Sequence, residues 1–274
     1  MYNYLNLRKK HYNDQVKKLK KNTKIDISDL IKNPYTSLKA TLFIEVSSII
    51  VFFLQFTKIS PNFVTSTYIF LGFLSGLFLA SNNDTLILIS LFLIVFKNII
   101  DWCDGLLARI TNNTSELGDV LDRWGSVVGY NSYIFGFGFY LFNDGQNIIF
   151  LILVFLIIFL KSIDLKDYAY HLAGYKIIKG NNNKKFLNLL NFEKKSLRTV
   201  KQNKFQKFKN FFIMLLDDSR SRIVDPIVVF IFIDNFYKDL IFLQYIFYLI
   251  FFKNFIFFLG GIYITYFRNH VFKK

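Results

Sequence analysis

Cysteine is almost absent: Cys103 stands alone in 274 residues, which excludes an intramolecular disulfide framework. Histidine is nearly as scarce, and His11, His171 and His270 are isolated, with no pair at a zinc-ligand spacing. The N-terminus has lysines and arginine but no apolar stretch behind them, so a cleavable signal is not expected and the first residues read as a cytoplasmic tail. No internal repeat is detectable. Basic residues are missing from two short connectors, 81–84 and 143–147, in a chain whose formal charge is +15.

That last absence decides what the charge is for. Eleven lysines and arginines fall within residues 1–61 and fourteen within 164–222. A nucleic-acid-binding chain would need no such alternation, whereas a membrane protein with both basic segments in the cytoplasm requires it. No nucleic-acid partner is therefore expected.

What is abundant is apolar. Hydrophobic residues make up 53% of the chain, with phenylalanine at 35 positions, and they come in long blocks. A hydrocarbon layer of ~30 Å needs ~20 mostly apolar residues per helical span. Blocks of that order run over 62–80, 85–107, 117–142 and 147–163, joined by connectors short enough to force antiparallel neighbours. Two further spans are expected at 218–235 and 240–266, an even total that returns the basic C-terminal residues to the cytoplasm. Residues 36–59 are apolar but interrupted by Lys39, Glu45 and Gln55. An interfacial helix is preferred there over a first span, because spanning would carry Lys58 to the outer side and invert the charge asymmetry.

The expected fold is thus an all-α integral membrane protein, a six-transmembrane-helix bundle with a cytoplasmic-side active site plus an N-terminal interfacial helix. Residues 1–35 form a basic cytoplasmic tail, with Pro34 as its boundary, and 36–59 the interfacial amphipathic helix. Transmembrane helices 1–4 occupy 60–163, a basic cytoplasmic insertion 164–217, transmembrane helices 5 and 6 residues 218–267, and a cytoplasmic tail 268–274. The insertion reads equally as partial amphipathic helices against anionic lipid or as a solvated loop.

Charge inside a spanning helix costs roughly 2.5–3.5 kcal/mol at its centre, so each such residue is a functional hypothesis. Asp101 and Asp104 lie three apart and share a helix face that Gly105 and Ala108 continue. Gly118 and Asp122, four apart, repeat the arrangement on the next span. Two facing helices would then present three carboxylates at one depth, where mutual repulsion calls for protons or cations and hard oxygen ligands favour Mg2+ or Mn2+. The small residues leave room for a bulky ligand such as a nucleotide. Trp102 and Trp124 read as interface anchors, and Cys103, between two carboxylates, is not expected to act as a thiolate. Arg220 and Arg222 are balanced between cytoplasmic anchors and contacts to an acceptor phosphate.

The stretch DWCDGLLARITNNTSELGDVLDRWGS resembles the signature of the CDP-alcohol phosphatidyltransferase family, D-x2-D-G-x2-A-R-x8-G-x3-D-x3-D. Asp101, Asp104, Gly105, Ala108, Arg109, Gly118 and Asp122 stand at the family's spacings, and SPNFVT, with Asn62 and Thr65, resembles the segment that opens its first helix. The resemblance covers residues 60 to about 160, with the termini and the basic insertion unmatched. It implies transfer of a phosphatidyl or phospho-alcohol group from a CDP-linked donor, CDP-diacylglycerol or a CDP-alcohol, to an alcohol acceptor with release of CMP. It further implies two metal ions held by Asp101, Asp104 and Asp122, and substrate contacts from Gly105, Ala108, Arg109, Gly118, Asn62 and Thr65. A homodimer in the bacterial cytoplasmic membrane, with both termini cytoplasmic and anionic lipid around it, is expected.

The departure is Ser126, where the family has a fourth aspartate that helps hold the second metal and is its proposed base. A neutral hydroxyl does neither well. Asp119, seven residues away, shares the helix face but lies ~10 Å along the axis. Two other readings stay open: an impaired homologue that binds nucleotide or lipid, and a cation-handling membrane protein with the carboxylates along its path.

Overall fold

The computed structural model describes residues 2–22, 34–165, 224–237 and 241–267. Among these every regular element is helical, and the chain divides into two units, Met1–Tyr140 and Leu141–Lys274. The basic insertion beyond residue 165, His171, His270, Arg220, Arg222, the first residues of the expected fifth span and the tail 268–274 lie outside the described residues.

The first unit holds α1 (Tyr4–Asn22), α2 (Pro34–Leu54), α3 (Pro61–Leu79), α4 (Asp84–Thr111) and α5 (Glu116–Gly145) as far as Tyr140. Local chemistry sets the ends of α3 and α4. Ser60 caps α3 by accepting from the Phe63 N–H at 3.3 Å, and Pro61, whose missing N–H costs nothing in a first turn, follows it. Asn83 caps α4 by accepting from the amides of Thr85 and Leu86 at 2.9 and 3.2 Å. At the other end Asn112 turns left-handed, with φ 53°, and its N–H closes onto the Ala108 carbonyl. At 1.5 Å per residue the 28 residues of α4 extend about 42 Å, longer than a hydrocarbon layer, so Asp101 and Asp104 sit towards one end of the helix and not at its middle.

Close approach of α3 and α5 depends on glycine. A Cβ on Gly136 would lie 2.5 Å from the Gly76 carbonyl oxygen, and one on Gly76 would run into the main chain of Ser132. Between helices in an apolar medium such small residues permit the van der Waals contact that drives association. Ser90 of α4 ties back to α3 by donating to the Ser75 carbonyl at 2.6 Å.

Residues 4–22 form a helix rather than a free tail. Leu7 and His11 are fully buried, Leu7 in a cluster with Val51, Tyr68, Cys103 and Leu106. Glu45 of α2 holds α1, and Gln55, just past the end of α2, holds the residues that lead into it. Arg8 pairs with Glu45 at 2.6 Å, Tyr12 donates to the same carboxylate at 2.8 Å, and Gln55 exchanges two hydrogen bonds with the Tyr2 main chain. The hydrogen bond from Arg8 holds the Glu45 carboxyl below its ordinary range, and the Arg8 guanidinium is raised in return. A depressed carboxyl stabilises above its unfolded value and loses that contribution as pH falls through the folded one. Docking of α1 is therefore expected to weaken below the ordinary glutamate range. Hydrogen exchange over residues 4–15 checks it: protection should drop in acid and, at neutral pH, in Glu45→Gln.

The second unit holds α6 (Ile149–Ser162), α7 (Val224–Tyr237) and α8 (Ile241–Ile262), the last running into a π-helical turn, Tyr263–Phe267. Phe150 of α6 packs edge-on to Phe247 of α8, their centroids 6.0 Å apart, and Phe230 of α7 meets Phe242 at 5.2 Å.

Among the described residues three helices are long and apolar enough to cross a membrane: α3, α4 and α8. Of the other expected spans, α5 carries Glu116, Asp119, Asp122 and Arg123 in its first half, α6 has 14 residues, about 21 Å, and α7 begins at the edge of the described residues. Helix α2 is not among the three.

Candidate active site

Helices α3, α4 and α5 surround a cavity of about 420 Å³ at the end of α4 that carries the aspartates. Helix α4 contributes Asp101, Asp104, Gly105, Ala108 and Arg109 to its wall, the first turns of α5 contribute Gly118 and Asp122, and the start of α3 contributes Asn62 and Thr65. All nine residues at the family's motif spacings thus line one cavity, and Asp119 joins them. Helical spacing had placed them on faces; packing brings the faces together.

The motif's last position does not join them. Ser126 is absent from the wall, and its hydroxyl donates to the main-chain oxygen of Asp122 at 3.1 Å, the usual back-bond of a helical serine.

Two of the motif carboxylates, Asp104 and Asp122, are held by neighbours on α3. Thr65 donates to Asp104 Oδ2 at 2.7 Å, both side chains buried. The Tyr68 hydroxyl lies 3.1 Å from Asp122 Oδ1 and 3.0 Å from its carbonyl oxygen. Asp101 is within electrostatic reach of Asp104, Asp122 and Lys97. On the wall opposite, Ser115 accepts from the Gly118 amide at 3.0 Å and donates to Asn62 Oδ1 at 3.4 Å, so the α4–α5 connection is fastened to α3.

Arg109 is engaged from outside the motif. Its Nε donates to Asp14 Oδ2 at 2.8 Å, and both side chains are largely shielded. Gln15, next along α1, lines the cavity itself. His11 is a packing residue, its ring beside Ser48 Oγ at 3.2 Å and Trp102 at 5.9 Å. Trp102 also lines the cavity and meets Phe43 edge-on, whereas Trp124 is exposed. Tyr68, Asp14, Gln15 and Lys97 were missed in the sequence; the only available signal was that Lys97, like the aspartates, is a charge inside an apolar run.

Among the described residues no three His, Cys, Asp or Glu side chains close into a finished ligand set. Four carboxylates nevertheless border the same space: Asp101, Asp104, Asp119 and Asp122. A cavity of this size, acidic on one side and lined by Gly105, Ala108 and Gly118 on another, can take a cation together with a phosphorylated ligand.

No curated protein matches the chain. A family model described as CDP-alcohol phosphatidyltransferase matches residues 58–216, more than half of the chain. The match begins at the segment that opens α3 and runs past 160 through nearly all of the basic insertion, further than the motifs alone reach.

Proposed function

The chain belongs to the CDP-alcohol phosphatidyltransferase family, whose members transfer phosphatidyl groups from CDP-alcohols in phospholipid synthesis, and on that premise we propose that this protein is an active enzyme with the cavity between α3, α4 and α5 as its catalytic site. The acceptor hydroxyl attacks the β-phosphorus of the CDP-linked donor. A new P–O bond forms, the bond to the CMP oxygen breaks, and the acceptor proton is lost to solvent or to a carboxylate at the cavity edge.

Asp101, Asp104 and Asp122 would hold Mg2+ or Mn2+; the fit rests on hard oxygen donors bordering one cavity. Such an ion supplies charge neutralisation at the diphosphate. The protein supplies the rest. Thr65 and Tyr68 fix the carboxylates of Asp104 and Asp122 before the donor arrives, so that little reorganisation is needed during transfer. Gly105, Ala108 and Gly118 leave space for cytidine and ribose. Arg109, oriented by Asp14, faces the phosphates. Because positioning and electrostatics dominate such reactions, activity survives the serine at position 126. The site opens at the cytoplasmic face, where a lipid partner arrives from the bilayer and a polar one from the cytosol. Six spans with both termini cytoplasmic, α2 along the anionic inner leaflet and a homodimeric state in a bacterial cytoplasmic membrane complete this reading.

The observation that carries it is the convergence of the motif residues of α4 and α5 with Asn62 and Thr65 of α3 on one cavity. Purified protein with Mg2+ or Mn2+ and labelled CDP-diacylglycerol, offered glycerol phosphate, inositol phosphate, serine and amino alcohols, should release CMP with at least one acceptor. Cytidine-nucleotide binding without release under every combination, including CDP-alcohol donors, would select the non-catalytic homologue instead.

A further inference from the structure

Helix α1 lies outside the family-matched stretch, which begins at residue 58, yet it supplies part of the cavity wall. His11, Asp14 and Gln15 occupy positions i, i+3 and i+4, so one face of α1 carries all three. On α4 the steps from Trp102 to Gly105 and on to Arg109 are three and four, again a single face. The two faces meet. Asp14 holds the Arg109 guanidinium through Nε at 2.8 Å, and the ring centroids of His11 and Trp102 stand 5.9 Å apart. Arg109 folds back along its own helix, since a Cβ on Gly105 would lie 3.2 Å from its Nη1.

The Gln15 amide has a fixed direction. Its Nε2 is turned to His11 Nε2 at 3.5 Å. Ser47 on α2 donates to the Phe43 carbonyl, and so faces His11 Nδ1, 3.4 Å away, as an acceptor; Ser48 Oγ stands 3.2 Å from the same nitrogen. The ring proton therefore belongs on Nδ1, and Nε2 accepts from the Gln15 amide. Gln15 Oε1 is left with no partner among the described residues. Gln15 thus offers the cavity a neutral acceptor, backed by a fully buried histidine.

Trp102 is the one aromatic side chain among the described residues of the wall, braced edge-on by Phe43 at 5.8 Å. A neutral acceptor and an aromatic face have little to offer a phosphate, a divalent ion or an acyl chain. They suit a planar heterocycle with a hydrogen-bond donor on its edge, whose ring stacks while its donor meets the amide oxygen. Among the reactants of the transfer above, the cytosine of the donor has both features.

We propose that Gln15 and Trp102 hold the nucleobase of the CDP-linked donor, Trp102 against the ring and Gln15 by accepting from the exocyclic amine, so that α1 sets a preference for cytosine over uracil. Uracil carries a carbonyl where cytosine carries the amine, which would set oxygen against oxygen. The inference rests on the reading above that the cavity takes a CDP-linked donor.

The test is the affinity of CDP and of UDP for the detergent-solubilised full chain with Mn2+ present, by titration calorimetry. CDP is expected to bind about tenfold tighter than UDP, the scale of one hydrogen bond made against one left unmade. Gln15→Leu should bring the two within about twofold of each other, whereas Gln15→Glu, which keeps an acceptor, should keep the preference. Trp102→Leu should weaken both nucleotides alike, by about tenfold, because stacking does not read the amine. The diphosphate of 2-pyrimidinone riboside, a cytidine without its amine, needs no variant and should bind the natural chain about tenfold more weakly than CDP. Equal affinity for CDP and UDP, a preference that survives Gln15→Leu, unchanged affinities in folded Trp102→Leu, or an analogue bound as tightly as CDP would overturn the inference and leave the CDP-donor reading intact. Binding of neither nucleotide by the natural chain would sink that reading and the inference with it.

Discussion

Asp104→Asn is expected to reduce CMP release by on the order of 10²–10³-fold, the range seen when one preorganised charge-stabilising group is removed from a reacting phosphoryl or acyl centre. Asp104 is the most buried of the three carboxylates and receives the Thr65 hydroxyl at 2.7 Å. Asparagine keeps the volume and can still accept from Thr65 through its amide oxygen, so the fold is preserved while a negative charge is lost. The measurement is CMP release from labelled CDP-diacylglycerol, alongside unfolding in detergent to confirm an intact fold. Release at the natural rate from a folded Asp104→Asn protein would remove this carboxylate from the proposed site. Thr65→Val, which leaves the carboxylate but frees it to swing, is expected to cost less, about 10–100-fold, as removal of a group behind a ligand commonly does.

The second large effect is on stability. Gly76→Ala is expected to destabilise the protein by about 3 kcal/mol, the upper end of the common range for overpacking. The added methyl would meet the main-chain carbonyl of Ser132 on α5, which cannot rotate away as a side-chain tip can. Helices α3 and α5 must then separate, and the Tyr68 to Asp122 hydrogen bond, which joins the same helices, lengthens with them. Gly260→Ala is the control: a Cβ there meets nothing within 4 Å, and alanine favours helix over glycine by about 1 kcal/mol, so that variant should be no less stable than the natural chain. Equal unfolding temperatures for the two variants would contradict the close α3–α5 packing.

The order in which residues become legible follows the range of the interactions that fix them. Asp101 with Asp104, and Gly118 with Asp122, are three and four apart, and helical geometry alone puts each pair on one face. Long apolar blocks announced α3, α4 and α8, because a bilayer or a core demands them whatever their partners are. Helix α1 gave no comparable sign. Its apolar residues are few, and it is held by Arg8 against Glu45, 37 positions away, and by Asp14 against Arg109, 95 positions away. Charged pairs leave no periodic trace in a sequence, so Glu45 read as an interruption of α2 when it is the residue that docks α1. The glycines show the same division: Gly72 and Gly129 are 57 positions apart, and nothing but the approach of α3 and α5 makes them two walls of one slot for Lys97.

By itself, then, the sequence determined the helical class, the membrane character and the motif residues of α4 and α5, since each depends on spacing within a single helix or on the length of an apolar run. Only the tertiary structure decided which groups grip those residues: Thr65 on Asp104, Tyr68 on Asp122 and Asp14 on Arg109. Each joins elements whose relative placement is set by packing over the whole unit, and local spacing carries no record of it.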